Sequence, residues 1–441
     1  MALPNDPLNK NVGNQKITPQ IATRELGRTG LIEYDGYVYE EQLRQLSSFD
    51  VRVRVYREMS ENDSVIGAIL FVIDMLIRQV TWRVQAGGGT PEDEEAKKFL
   101  ESCLQDMSST WEDTISEIMS FLVYGFSYHE IVYKRRLGEN KDPTKNSRFN
   151  DGRIGWRKIP IRAQETLWRW LFDDEGGIHG MVQLPPPDYR IRTIPIEKAL
   201  LFRTAIHKNN PEGRSILRIA YRTWYIKKRI ETFEAIGIER ELAGYPVVYV
   251  PVEWTDINAT QGEKDAYAQM KKLVTNIRRD EQEGAVLPAI YDEQNNQLVR
   301  LELLTSGGRR NFDTSQIITR LDQRLAMTVM ADFILLGTAT PNGSFALSAD
   351  KTRLFSMALG TWLDSIAATF NRYAIPRLFS LNNFKLEKLP TLEHADIDNP
   401  DLKDLGEYLG KLAGAGAPLF PDEDLEDYLR EVAGMPLTKK E

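Results

Sequence analysis

Apolar and polar residues repeat with two different periods along the chain, and the two patterns divide it into helical and strand-rich stretches. The helical pattern begins near Tyr39, and Ser60 or Asp63 can cap a helix that runs to about Gln79. A stripe of apolar residues repeats along this helix at helical spacing. We expect its buried side to carry Val65, Ile69, Val72, Ile73 and Leu76.

A short strand, TWRVQ, follows this helix and ends in three glycines at 87–89. Two more helices are predicted over 91–106 and 110–124, and Gly125 is placed to end the second one. The order of strand, glycine turn and helix pair indicates a mixed fold from this point on.

Between residues 127 and 204 apolar and polar residues alternate with the period of two that strands require. The predicted strands are SYHEIVYKR, RIGWRKIPI, ETLWRWLFD, GIHGMVQL and KALLFRTA, with DDEGG as a hairpin turn. Together with the preceding helices, these strands predict an α+β unit with antiparallel pairing over residues 40–210.

Beyond residue 210 the pattern favours long helices. One uninterrupted helix is predicted over 213–243, which would be about 45 Å long at about 1.5 Å per residue. Residues 244–312 return to short strands around an amphipathic helix at 261–279. A second long helix begins with a cap at Asp313 and is predicted to run to Leu336.

A glycine-rich loop is predicted over 337–347, and Ser348 is expected to cap a third long helix that kinks or ends at Pro376. The chain then becomes acidic, with short helical pieces over 387–441. The polar first 30 residues show little periodicity and are predicted to form a mobile arm.

The charge is distributed unevenly. The 441 residues contain 56 Lys and Arg against 64 Asp and Glu, a net charge of −8. Residues 387–441 contain 14 acidic and 6 basic residues and therefore account for all of it, so the first 386 residues are neutral. This balance argues against a strongly basic surface for binding nucleic acid.

Several classes of protein are excluded by residue types and motifs. With one cysteine, Cys103, no disulfide can form within the chain, and only four histidines accompany it for a zinc site. The first residues lack the apolar core of a secretory signal, and no apolar run is long enough to span a bilayer. No GxxxxGK[ST] phosphate loop and no GxSxG motif is present.

The remaining candidates for chemistry have simpler structural interpretations. The three glycines at 87–89 lack the spacing of a dinucleotide fingerprint and are read as a turn. His129 is predicted to be a packed or exposed strand residue, and Cys103 a buried structural thiol. The acidic triplet Asp173-Asp174-Glu175 could bind a cation, but hairpin-turn chemistry also explains it.

The predicted helix over 213–243 carries opposite charges on opposite sides. At about 100° per residue, four arginines fall within about 40° of one another, and three glutamates cluster on the other side, where Lys227 intrudes. These residues are Arg218, Arg222, Arg229 and Arg240, against Glu231, Glu234 and Glu241. Such faces suit a helix between two copies of itself in a head-to-tail ring, although an ordinary solvated helix or a phosphate-binding arginine face is also compatible.

Several stretches of the sequence occur in the order typical of bacteriophage portal proteins. These stretches are WRVQAGGGTPEDEEAKKFL, FLVYGFSYHEIVYK, ETLWRWLFDDEGGIHG, GRSILRIAYRTWYIKKRIETFEAIGIERELAGYPVVYVP and a distal helix pair split by a glycine-rich loop. The chain resembles most the branch shared by Mu-like and related long-tailed phages. The resemblance covers about residues 40–385. It is one of pattern and order, without a catalytic signature.

This resemblance implies an α+β portal fold assembled as a ring. Its parts would be an N-terminal arm (1–30), a wing (31–212) with a long helix and connector (348–386), a stem (213–243 and 313–336), a clip (244–312), a tunnel loop (337–347) and an acidic crown (387–441).

The resemblance also implies a function without catalysis or cofactor. Portal proteins form rings, commonly of twelve subunits, at one capsid vertex of the virion, and double-stranded DNA passes through the axis without sequence-specific binding. Implied partners are further copies of the chain, the major capsid protein and scaffold, the terminase motor and later the head-tail adaptor. Assembly would take place in the host cytoplasm, with no membrane involved.

Three sets of site residues follow from this interpretation. The charged stem residues Arg218, Arg222, Arg229, Glu231, Glu234 and Arg240 would form subunit contacts. The tunnel loop would present Thr338, Thr340, Asn342, Ser344 and Phe345 to the DNA channel, unless it is an ordinary connector. Arg309 and Arg310 could contact phosphate near the clip, or could be plain surface charge.

Two other functions remain open at this point. The chain could be a different head or neck component, such as an adaptor or minor capsid protein. It could also be a nucleic-acid-processing enzyme that binds Mg²⁺ through Asp173, Asp174 and Glu175.

Overall fold

The computed structural model describes residues 27–243, 245–276, 291, 299–304, 313–328 and 345–397, with short pieces at 406, 409–412, 425–426 and 429–430. The chain divides into a first unit, residues 1–220 and 326–441, and a second unit, residues 221–325. The helices are α1 (Phe49–Asn62), α2 (Ser64–Arg78), α3 (Pro91–Gln105), α4 (Trp111–Tyr124), α5 (Leu217–Ala243), α6 (Gln261–Asn276), α7 (Thr314–Thr328), α8 (Phe345–Thr369) and α9 (Ile375–Ser380).

The strands are short and pair only in antiparallel fashion among the described residues. Helices and small sheets alternate, so the predicted α+β class is confirmed. The strands are β1 (Glu33–Tyr34), β2 (Tyr37–Val38), β3 (Trp82–Gln85), β4 (Phe126–Glu130), β5 (Val132–Arg135), β6 (Ile154–Lys158), β7 (Ile161–Arg162), β8 (Leu167–Phe172), β9 (Ile178–Gln183), β10 (Arg192–Pro195), β11 (Ala199–Arg203), β12 (Tyr245–Tyr249), β13 (Arg300–Leu304) and β14 (Thr391–His394).

The N-terminal helices begin and end where local side-chain chemistry favours it. Asp63, rather than Ser60, caps α2, because its carboxylate accepts two backbone N–H groups of the first turn at 3.0 and 3.1 Å. Thr90 and Asp93 cap α3 with reciprocal hydrogen bonds between side chain and backbone. Gly125 ends α4 in the left-handed conformation, with φ 97°, as the sequence predicted.

One apolar core holds most of the first unit together. Helices α2, α3, α4 and α8 all contribute side chains to it. On α2, Ile69 and Ile73 are buried as predicted, but Val65, Val72 and Leu76 are only half-buried. Each fully buried apolar side chain of this size contributes about 1.5–3 kcal/mol. A smaller core lies between β4 and the strands β8, β9 and β10.

The strands fall into several small sheets. β4 lies between β11 and β7, and β9 lies between β10 and β8. The stretch predicted as one strand, SYHEIVYKR, is split at Ile131 into β4 and β5, which belong to different sheets. At the break, Ile131 is fully buried, and its N–H donates to the carbonyl of Lys198 at 2.8 Å, next to the paired strands β4 and β11.

The third long helix, α8, begins at Phe345, three residues before the predicted cap at Ser348. Ala346 and Leu347 are strong helix formers, so the helix extends through them. The α-helix gives way to a π-helical turn at Phe370–Ala374 and then to α9, which has Pro376 in its first turn. Helical structure continues past Pro376 to Ser380, so the helix does not end at this proline; the irregularity is the π-helical turn just before it, since Pro376 has no N–H to donate along the helix.

The second unit is smaller. β12 and β13 pair, and α6 packs beside β12 with Met270 buried. Asp313 caps α7 as predicted, accepting the N–H of Gln316 at 3.2 Å. Most of the predicted strand GAVLPAIY and the predicted end of this helix at Leu336 lie outside the described residues. Among the described helices, none has the length and apolar character that a membrane span requires.

Candidate functional site

The long helix α5 starts from a tight turn that two glycines make possible. Gly213 has φ 54°, and a Cβ there would lie 2.1 Å from the carbonyl oxygen of Gly125. The hydroxyl of Ser215 accepts the N–H of Leu217 at 3.0 Å and caps the helix. The helix therefore begins at Leu217, four residues later than the sequence predicted, because the backbone at Gly213 is left-handed.

Ion pairs within the first unit fix the beginning of α5. The guanidinium of Arg218 donates two hydrogen bonds to the carboxylate of Glu41, from Nε to Oε2 at 2.5 Å and from Nη2 to Oε1 at 2.7 Å. Arg52 of α1 pairs with Glu212, just before the helix. The side chains of Glu41 and Glu212 are only 11% and 9% exposed, so water screens these pairs weakly.

A cavity of about 610 Å³ lies beside these pairs. Burial would raise the pKa of Glu41, but the hydrogen bonds from Arg218 and from the Leu43 N–H outweigh it, so the pKa is lowered. Burial raises the pKa of Glu212 despite the opposing charge of Arg52. Burial also raises the pKa of Tyr56 to about 12. The lining carboxylates Glu40, Glu41 and Glu212 are paired with Lys208, Arg218 and Arg52, respectively.

Beyond residue 220, one side of α5 is buried and the opposite side is open. Trp224 and Lys227 are buried, whereas Arg222 and Arg229 are exposed. The guanidinium of Arg229 lies 5.4 Å from the ring centroid of Tyr225, which is 42% exposed.

The acidic side of α5 meets α7 of the same chain. The Nζ atom of Lys227 lies 2.7 Å from Asp322 Oδ1 of α7 and 3.8 Å from Glu231 Oε1. Glu234 accepts a hydrogen bond from the hydroxyl of Thr314. From the sequence, Lys227 was noted only as a cation on the acidic side of α5, and Asp322 was not predicted as its partner. Asp322 is a single carboxylate beside the apolar stripe of α7, and this position could have indicated a buried ion pair.

Three apolar side chains on α5 are also exposed. Ile219, Ile226 and Phe233 are spaced seven residues apart and are 64%, 40% and 66% exposed. They border the arginines Arg222 and Arg229. Aromatic residues and arginine beside aliphatic ones are typical of protein–protein interfaces, from which lysine is depleted.

The model of one protein family matches residues 53–435 of the chain, and its description is portal protein of Mu bacteriophage. The match covers most of the sequence. The chain belongs to the Mu phage portal protein family.

Solved structures similar to this portal protein include chains of gene transfer agent (GTA) particles. A chain in the neck of an empty GTA particle, computed with C6 symmetry, aligns with a TM-score of 0.50 and 12% identity, over 88% of this chain and 94% of that chain. A chain in the virion of a native GTA particle has the same identity and coverage with a TM-score of 0.48. An HK97 family phage portal protein from Corynebacterium diphtheriae aligns with a TM-score of 0.41 and 10% identity, over 76% of this chain and 92% of that chain. The first alignment shows a shared fold.

The predicted subunit-contact residues of the portal protein lie in different surroundings. Arg218 is engaged with Glu41 within the chain, and Glu234 is half-buried against Thr314. Arg222, Arg229 and Glu231 are exposed. Arg240 belongs to α5, but its side chain is not among the parts of the chain that the structure describes.

The predicted channel residues are largely outside the described part of the chain. Phe345 is the first residue of α8 rather than part of a loop that continues to residue 347. The others lie outside the described residues: Thr338, Thr340, Asn342, Ser344, Arg309 and Arg310.

The predictions for Cys103 and the glycine turn are confirmed. Burial raises the pKa of Cys103 to about 11, which disfavours the reactive thiolate at neutral pH. At the glycine turn, a Cβ on Gly87 would lie 2.4 Å from the carbonyl oxygen of Lys388, so this glycine permits a close approach of two backbone segments.

His129 and the acidic triplet also have structural roles. His129 is fully buried on β4, with Nδ1 3.0 Å from the Ile159 carbonyl. Asp173 Oδ1 accepts the N–H groups of Glu175 and Gly177 at 3.0 and 2.6 Å, which stabilises the hairpin turn. Within the described residues, no group of three His, Cys, Asp or Glu side chains is placed to hold a metal ion.

Proposed function

We propose that this portal protein assembles into a closed ring of twelve subunits at one vertex of a phage capsid, and that DNA passes along the axis of the ring. The family match over residues 53–435 carries this proposal. The neck structure with a similar chain was computed with C6 symmetry, and rotational symmetry of this kind is what a closed ring has.

The proposed parts are those that the resemblance implied, with bounds adjusted to the helices. The wing comprises residues 31–212 with α8 and the connector to 386, and the stem comprises α5 and the helix that starts with α7. Residues 244–312 form the clip, residues 387–441 the crown, and the tunnel loop lies before α8.

Exposed charges on α5 support the ring contact. Arg222 and Arg229 lie about 160–180° around the helix from Glu231, at about 100° per residue. In a head-to-tail ring, one side of each subunit meets the other side of the next, so oppositely charged sides attract. Arg218 and Glu234 are half-buried against partners within the chain, so the contact rests mainly on the exposed residues Arg222, Arg229 and Glu231.

The neutral body supports a conduit rather than a DNA-binding site. Each phosphate gripped by Lys or Arg adds a salt-dependent attraction that would slow sliding DNA. We assign Thr338, Thr340, Asn342, Ser344 and Phe345 to the channel wall and Arg309 and Arg310 to transient phosphate contacts. The acidic crown would repel DNA and guide it toward the axis.

The proposed partners follow from the place of such a ring in the virion. They are the major capsid protein and scaffold around the wing, and the terminase and then the head-tail adaptor at the clip. We propose a structural role without catalysis. In support, His129, Cys103 and Asp173, the side chains weighed for chemistry, are engaged in packing or in a turn.

Sedimentation velocity and negative-stain microscopy of the purified protein test the proposal. We expect rings with a central hole, of a mass equal to about twelve copies. A folded monomer at every protein and salt concentration, with or without the cognate scaffold, would contradict it. Rings that show no protruding stem would favour an adaptor instead.

A further inference from the structure

The cavity beside the start of α5 contains a buried hydroxyl group. Tyr56 of α1 lines this cavity of about 610 Å³ and is only 2% exposed. None of the described residues forms a hydrogen bond with its phenolic oxygen. A buried polar group normally has a hydrogen-bond partner, so an exception requires an explanation. Since Tyr56 lines the cavity, a ligand bound there would supply the missing partner.

The charges around the cavity determine what this hydroxyl can bind. Burial raises the pKa of Tyr56 to about 12, although the charges of Arg52, Arg218 and Arg214 act to lower it. The hydroxyl therefore keeps its proton at neutral pH and can donate a hydrogen bond. The same three arginines line the cavity. A donor close to arginines favours an acceptor that carries negative charge.

Arg214 supplies the charge that such an anion needs. The other two lining arginines are already paired with carboxylates. The side chain of Arg214 is exposed, and it has no ion pair or hydrogen bond with the described part of the chain. Its backbone is held in place, because its N–H donates to the hydroxyl of Thr204 at 3.1 Å. The guanidinium is therefore available to a ligand, at a fixed point on the wall of the cavity.

The size and lining of the cavity favour a single carboxylate on an apolar body. A volume of about 610 Å³ is within the range of about 300–1,000 Å³ for ligand sites, and a carboxylate alone would fill only a small part of it. Ile206, which is 71% exposed, and Tyr124 also line the cavity. Three carboxylates of the chain line it too, so a phosphate, with a charge of about −1.5 to −2, would be repelled more strongly than a monoanion.

We propose that this cavity is a binding site for a small monocarboxylate with an apolar body. One oxygen of the carboxylate accepts the hydrogen bond of the Tyr56 hydroxyl, and the guanidinium of Arg214 pairs with the carboxylate. The ligand contacts α1 and the turn that precedes α5, so binding stabilises the start of this long helix. All the lining residues belong to the first unit of one chain, so the inference does not depend on the proposed ring.

Fluorine NMR with 4-fluorobenzoate as the probe tests the site on the full chain. We expect saturable binding with a Kd below about 10 mM. The neutral probe 4-fluorobenzamide has nearly the same shape. We expect it to bind at least tenfold more weakly, because hydrogen bonds to a charged group are stronger than those to a neutral one. Inorganic phosphate at the same concentration should not displace the benzoate.

Two variants remove one interaction each. Arg214→Gln and Tyr56→Phe should each weaken benzoate binding at least tenfold, and Arg214→Gln should also abolish the preference over the benzamide. Because neither polar group has a side-chain partner among the described residues, the melting temperature without probe should stay within about 3 °C of wild type. The matched controls are Arg135→Gln and Tyr34→Phe, at exposed residues outside the cavity, and they should bind the probe as wild type does.

Several results would overturn the proposal. They are the absence of saturable binding to wild type, equal affinity for the two probes, or unchanged binding in both variants. In each case water, rather than a ligand of this class, would be the partner of the Tyr56 hydroxyl. Displacement by phosphate at equal concentration would overturn the assignment to a carboxylate. A chain that fails to form rings still contains the cavity, so failure of the proposed function is measured separately.

Discussion

His129 shows how burial determines the protonation of a single residue. The ring is fully buried, and burial lowers its pKa to about 4. The unfolded imidazole has a pKa of about 6.5, so the unfolded chain binds more protons than the folded one between these values. Stability is therefore present above about pH 6.5 and is lost as the pH falls toward 4, by up to about 3 kcal/mol.

We expect His129→Phe to flatten the dependence of the melting temperature on pH between 4 and 6.5, whatever its effect at neutral pH. Thermal unfolding followed by circular dichroism at several pH values measures this. A slope equal to that of wild type would show that His129 does not titrate in this range.

Lys227 shows how a buried cation depends on a distant residue. Its side chain is 3% exposed and lies beside Asp322, which is 25% exposed. We expect Lys227→Met to lower the free energy of unfolding of the second unit by about 2–4 kcal/mol, because Asp322 loses its partner in a partly buried place. Urea denaturation followed by tryptophan fluorescence measures the loss.

The double variant Lys227→Met with Asp322→Leu provides the control. Replacing both charges with apolar groups of similar size removes the unpaired carboxylate, so most of the stability should return. If the double variant is as unstable as the single one, packing rather than charge accounts for the effect.

At the scale of elements, the start of α5 depends on backbone geometry. We expect Gly213→Ala to lower the free energy of unfolding by at least about 2 kcal/mol, because alanine is strained at φ 54° and its Cβ would collide with the carbonyl of Gly125. Thermal melting of the two variants measures the difference. Gly89→Ala is the matched control, since nothing lies within 4 Å of its added Cβ, and it should change stability by less than about 0.5 kcal/mol.

Most elements could be predicted from spacing, but several of their ends could not. Helices α3 and α4 lie within one residue of their predicted bounds, because their capping residues are local signals. The start of α5 was predicted four residues too early, because the close approach of Gly125 and Gly213 joins segments that are distant in sequence. The cap at Ser348 was wrong for a local reason, since helix-forming residues precede it.

At the scale of the whole molecule, the charges on α5 predict how copies of the chain associate. We expect Arg222→Glu to weaken ring formation at low salt, because it places like charges against each other across the proposed contact. Adding Glu231→Arg should restore assembly. Glu231 is chosen over Glu234 because Glu231 is exposed, whereas Glu234 is half-buried and accepts a hydrogen bond from Thr314.

Sedimentation velocity at two salt concentrations measures the effect, and Arg135→Glu, at an exposed arginine of β5, is a control with the same change of charge. Rings that form equally well with Arg222→Glu and with the control would contradict pairing across α5. A double variant that stays as defective as the single one would point to another acidic partner.

The fold class, the order of most elements and the resemblance to portal proteins could be read from the amino-acid sequence. These depend on the spacing of apolar residues and on caps and turns, which act over a few neighbouring positions. It also separated the neutral body from the acidic final 55 residues.

Which face of each helix is covered became clear from the packing of the folded chain. Arg218 faces Glu41 and Lys227 faces Asp322, so two charges of the predicted surface of α5 are used within the chain. The exposure of Phe71 and Met75 on the outer side of α2 could not be predicted either. Apolar residues at helical spacing form the same sequence pattern whether that side of the helix is buried or exposed. Partners of these kinds lie tens to hundreds of residues away, and only folding brings them into contact.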